Sequence, residues 1–168
     1  MAALQKKVGL VLLALLCCAG CVRQAAHSEL YSLIFKQESG ICRGVDIGTP
    51  LDKVKQLEGA TPKYDDDWGL VYDYSLGGKN RIRIEYLRRN PKETGVNAIV
   101  LNVLLEEKSV ATDLFAEMED DLRGRYGVAD GDLGNLTWRQ EETNSMVSLR
   151  MLDDKKSISL NFGALQVL

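Results

Sequence analysis

The sequence predicts an α+β protein built from two similar halves. Each half is a helix followed by a three-strand antiparallel meander, and the helices lie on one face of the sheet. Three observations predict this. The element signals run helix, strand, strand, strand, and then repeat in the same order. Each helix pattern stops at a glycine, Gly59 or Gly127. A short acidic loop then leads to a tryptophan, nine residues on at Trp68 and eleven on at Trp138. The halves fall at about residues 49–105 and 110–162, inside a single domain spanning 30–168. The 168-residue chain suits that size.

Taken in order, residues 30–35 form a short apolar patch whose periodicity does not separate helix from strand. Gly40, Gly44 and Gly48 punctuate a loop. Thr49-Pro50-Leu51-Asp52 then signals a helix start, with Thr49 as cap, Pro50 at the first helical position and Asp52 reaching back. Leu51, Val54 and Leu57 form its apolar stripe. Residues 68–74 read as an aromatic strand whose Trp68 belongs in the core, and Gly77-Gly78-Lys79-Asn80 as a turn. In residues 81–87, Ile82, Ile84 and Tyr86 alternate with Arg81, Arg83 and Glu85. Residues 96–105 are apolar on both faces and predict a central strand covered on both sides. The second helix starts at Ser109 or Thr112 and carries Leu114, Met118, Leu122 and Tyr126 every four residues. Strands follow at 135–141, 145–152 and 156–162, with a hairpin turn at Asp153-Asp154-Lys155.

The N-terminus reads as a targeting segment. Lys6 and Lys7 precede an apolar run over residues 8–16, the layout of a secretory signal and too short for a membrane span. The run ends at Ala19-Gly20-Cys21, which resembles the bacterial lipobox, although Cys18 stands where a leucine is usual. The resemblance implies cleavage after residue 20, diacylglyceryl attachment at Cys21 and acylation of the new amine. Several chains hold a protein to a bilayer where one does so only marginally. Residues 21–29 would then be a lipidated tether, with Val22 rather than Asp favouring the outer membrane. Removing residues 1–20 takes two lysines and leaves 19 basic against 24 acidic side chains, a net charge of −5. Cys42 remains as the lone thiol and is expected to be buried.

Residues 48–62, Gly-Thr-Pro-Leu-Asp-Lys-Val-Lys-Gln-Leu-Glu-Gly-Ala-Thr-Pro, followed by Trp68 and Tyr72, resemble the small lipoproteins of the BamE (SmpA/OmlA) type. The wider fold group, which includes the β-lactamase inhibitor protein, can carry this unit twice. The resemblance implies an accessory or binding role in the cell envelope and no enzymatic activity.

Little in the composition points to catalysis. His27 is the single imidazole and lies in the tether, where nothing can hold it as a triad requires. One His and four Cys leave few metal ligands, and Asp65-Asp66-Asp67 lacks the interleaved spacing of a calcium loop. No cofactor, metal or nucleic-acid partner is expected. The basic concentration is Arg81, Arg83, Arg88 and Arg89, with Lys92, and these are the candidate partner-binding residues. An acidic envelope protein or anionic lipid headgroups would suit them. The bland reading is solvated sheet-edge charge. The competing function is an envelope hydrolase using a carboxylate pair that the sequence does not identify.

Overall fold

A computed structural model describes residues 28–36 and 40–164. The expected signal segment, Cys21 and His27 lie outside the described residues. Three helices, α1 (Glu29–Phe35), α2 (Leu51–Glu58) and α3 (Lys108–Tyr126), accompany eight strands. The strands are β1 (Tyr64–Asp66), β2 (Gly69–Ser75), β3 (Arg81–Leu87), β4 (Ala98–Leu104), β5 (Asp130–Asp132), β6 (Asn135–Gln140), β7 (Ser145–Met151) and β8 (Ser157–Ala164). They form one antiparallel sheet of order β1-β2-β3-β4-β8-β7-β6-β5. The fold is α+β. No helix among the described residues is long and apolar enough to cross a membrane.

Each half carries four strands rather than the expected three. The acidic loops themselves contribute β1 and β5, of three residues each. Composition argues against strand there, and pairing overrides it: Asp65 sits opposite Leu70, and Gly131 opposite Leu136. Matching these two hairpins places Tyr72, not Trp68, in the position of Trp138. The match extends through the sheet. Ile84 corresponds to Val147 and Leu101 to Phe162, because each follows its predecessor across the ladder. At the seam, Leu101 pairs with Leu160 and Ile99 with Phe162. These two pairs exchange under a pseudo-twofold axis through Val100 and Asn161.

Strand alternation decides which face is buried. Tyr72, Ile84, Leu101, Leu160, Leu149 and Leu136 lie in register across six strands and are all buried. All three helices cover this inner face. Buried Leu114, Met118 and Leu122 of α3, Leu51 and Val54 of α2, and Tyr31 and Ile34 of α1 complete the core. The Trp138 indole donates to the Gly127 carbonyl at 2.9 Å, tying β6 to the end of α3.

The helix starts differ from expectation. Pro50 is itself the cap of α2, without a side-chain bond. Thr49 instead accepts at Oγ1 from Asp46 N–H, and Leu51 N–H donates to the Thr94 carbonyl. The segment before α2 is thereby stitched to the β3–β4 connection, so a tertiary contact replaces the capping box. Gly59 ends α2 in the left-handed region, with its N–H on the Lys55 carbonyl. The patch before Gly40 is helical, capped by Ser28. The largest correction concerns β4. It is central, but it is not covered on both sides: Val100 is half-buried and Asn102 exposed.

Candidate functional site

Among the described residues no helix lies over the outer face of the sheet, and its side chains are mostly exposed or half-buried. Its middle is small and polar. Val71, Glu85, Val100, Asn161, Ser148 and Thr137 form one row in register. Asp73, Arg83, Asn102, Ser159, Arg150 and Asn135 form the next. Asn161 spans the rows, donating to Ser148 Oγ at 3.3 Å and Ser159 Oγ at 3.5 Å. On the six long strands the outward charges are Arg81, Arg83, Arg139 and Arg150 against Asp73 and Glu85. A chain of net charge −3 thus shows a cationic excess on its uncovered face.

Part of that charge is internally spent. Arg83 clamps Asp73 with Nε to Oδ1 at 2.8 Å and Nη2 to Oδ2 at 3.1 Å, and Lys63 Nζ reaches Oδ2 at 2.5 Å. Hydrogen bonds from Arg83 and Lys63 hold the Asp73 carboxyl far below the usual carboxylate range. Arg81, one step along the same face, forms no ion pair or side-chain hydrogen bond among the described residues. A depression of about 830 Å³ lies here between the β2–β3 hairpin and the start of β8, lined by Lys63, Asp73, Lys79, Arg81, Arg83 and Leu152 among others.

The four candidate arginines are not one patch. Arg81 and Arg83 share this end of β3, whereas Arg88 and Arg89 follow its far end. Four strand residues, 84–87, lie between Arg83 and Arg88, a separation of roughly 17 Å. Arg88 N–H donates to the Trp68 carbonyl at 2.8 Å, and its guanidinium turns to the Pro91 carbonyl. Trp68, expected in the core, is 58% exposed in the β1–β2 turn. Asp66 accepts the Trp68 and Gly69 N–H groups there, so the three-aspartate run builds a turn. Tyr72 is buried and Tyr74 half-buried.

The inner face holds a cluster that the sequence reading missed. Glu58 and Arg43 are each only 5% exposed. Arg43 forks onto Glu58 through Nε and Nη2, with contacts of 2.9–3.0 Å. Its Nη1 donates to the Leu33 and Ile34 carbonyls at 3.0 Å. Tyr74 donates to Glu58 Oε2 at 2.8 Å and Tyr86 to Oε1, while Lys36 Nζ stands 3.6 Å from Oε2. Burial alone would raise the Glu58 carboxyl. The bonds from Arg43, Tyr86 and Tyr74 outweigh burial and hold it below its ordinary value. One carboxylate thereby joins α1, the loop at 41–46, α2, β2 and β3. Arg43 adopts a left-handed backbone (φ 54°) to reach it.

Saturated by donors, Glu58 is poorly placed for acid–base work. Beside it, burial pushes the Cys42 thiol up to about 12, which leaves it unreactive at neutral pH. A weak signal for Glu58 existed, since it follows Leu51 by seven and Val54 by four and so shares their helix face. Nothing in the sequence marked Arg43. Among the described residues, no group of three or more His, Cys, Asp or Glu side chains could hold a metal ion.

No family model and no curated protein matches the chain. Among solved structures it is similar to a DUF4309 family protein (YjgB) from Bacillus subtilis, at 16% identity and a TM-score of 0.46. The match covers 80% of this chain and 93% of that one.

Proposed function

We propose that this chain is a lipid-anchored, non-enzymatic binding module of the bacterial cell envelope. Acylated Cys21 holds it to the outer membrane on the periplasmic side, and an envelope protein docks on the open face of the sheet. One observation carries the reading. Among the described residues, an eight-stranded sheet is closed on one face by helices and carries none on the other, where small polar side chains sit among four arginines. Such a face, rigid and flanked by charge, suits recognition better than chemistry. Arg81 and Arg83 fall on it. Arg88 and Arg89 lie at its far margin beside Trp68.

The test is affinity capture from solubilised membranes with the full chain, comparing wild type with Ser148→Arg. Ser148 is half-buried in the central row, so a long cation there blocks close approach while the inner face stays intact. Loss of a protein captured by wild type is expected, with the thermal midpoint preserved. An unchanged capture profile from a folded variant would overturn the reading.

A further inference from the structure

We infer that the depression at the β2–β3 hairpin end of the open face receives an acidic peptide segment of the partner protein. The inference rests on the open-face reading above and names the chemistry of its partner. Lys63, Lys79, Arg81 and Arg83 line the depression against Asp73 and Glu85, an excess of two positive charges. The pairing pattern decides which cations are available. Lys63 and Arg83 both close on Asp73. Among the described residues, exposed Arg81 and the Lys79 ammonium form no ion pair; of Lys79 only the backbone N–H is used, donating to Glu106 Oε2 at 3.0 Å. Neighbouring acids are committed to their own turns. Glu106 accepts the hairpin N–H, and Asp154 accepts from Lys156 N–H and from Ser157 N–H and Oγ. Two free cations on a rigid floor, with half-buried Leu104 and exposed Leu152 beside them, match a segment carrying carboxylates next to an apolar residue.

The position of the tether favours a protein over the bilayer as occupant. Ser28 is fixed to α3 through Glu117, by its N–H at 2.6 Å and its Oγ at 2.5 Å. The chain therefore enters the domain on the helical side. Seven residues, 22–28, connect that point to Cys21 and span at most about 25 Å. A lipid at Cys21 thus holds the helical side towards the membrane, and the open face looks away from it.

The full chain in neutral detergent micelles should bind fluorescein-labelled hexaglutamate, read by fluorescence anisotropy. Binding should weaken about tenfold in Lys79→Gln/Arg81→Gln, and it should weaken steeply as salt rises past the range where screening acts. Lys53→Gln, exposed on α2 on the helical side, should leave it unchanged, and so should doping the micelles with phosphatidylglycerol. No hexaglutamate binding, equal loss from Lys53→Gln, or displacement by phosphatidylglycerol would each overturn the inference. The last result would assign the site to lipid headgroups. If hexaglutamate fails while Ser148→Arg still abolishes partner capture, the acidic-segment inference falls alone and the open-face reading stands.

Discussion

Strands β2 and β3 contribute to two carboxylate clusters on opposite faces, one residue apart on β2 and three apart on β3. Tyr74 and Tyr86 point inward to Glu58, whereas Asp73 and Arg83 point outward to each other. The chemistry is alike: an arginine forks onto a carboxylate and a lysine stands near. The surroundings differ. Arg43 and Glu58 are out of water, so leaving either unpaired exposes a bare charge to a low-dielectric interior. Asp73 and Arg83 remain about two-fifths exposed, and water screens their attraction. The same pairing therefore fixes the fold on one face and merely orders a surface on the other. The difference teaches that burial, and not the pairing itself, decides how much each cluster contributes to stability.

Breaking the inner pair should have the largest effect. Arg43→Met leaves buried Glu58 with only Lys36, at 3.6 Å, as a charge partner, and a loss of about 3–5 kcal/mol is expected in denaturant unfolding. Adding Glu58→Leu should recover part of it, since a buried pair replaced by apolar groups is often neutral, although the Tyr74 and Tyr86 hydroxyls lose their acceptor. Recovery is what separates a desolvation effect from simple loss of packing.

Tyr86→Phe removes one bond to that carboxylate and should cost about 1.5–3 kcal/mol. Tyr72→Phe sharpens the contrast. The Tyr72 hydroxyl is buried without a partner among the described residues, so its removal should be neutral or slightly stabilising. Equal losses from the two substitutions would mean that the Glu58 bond contributes nothing specific.

Acid should act through the inner cluster. Glu58 is held below its ordinary value in the folded state. Its contribution is therefore complete above the unfolded value, about 4.3, and is lost as pH falls through the lower folded value. In urea unfolding across that window, Glu58→Gln should show a shallower decline than wild type. Arg83→Gln on the outer face should shift stability by only about 0–1 kcal/mol.

Much of this arrangement was legible in the sequence, and the exceptions have physical causes. β3 was readable because Ile82, Ile84 and Tyr86 alternate with Arg81, Arg83 and Glu85 without a break. β4 misled because Val100 and Leu104 are apolar while facing outward; the polarity of Asn102 was the truer sign. β1 and β5 were invisible because they are only three residues long and the aspartates and glycine of Tyr-Asp-Asp and Asp-Gly-Asp disfavour strand. Tryptophan identity suggested that Trp68 matches Trp138, but ladder register assigns that role to Tyr72 and leaves Trp68 in a turn. Arg43 could not be found, because its fork onto Glu58 depends on a left-handed turn and on carbonyls of a helix that precedes it.

The division between faces is tested most directly by photocrosslinking in living cells. A photoreactive amino acid is placed at Asn161, on the pseudo-twofold axis of the open face, or at Asp120, exposed on α3. The account predicts a crosslinked protein partner from position 161 and none from position 120. A partner crosslinked from position 120 alone would place recognition on the helical layer and contradict it.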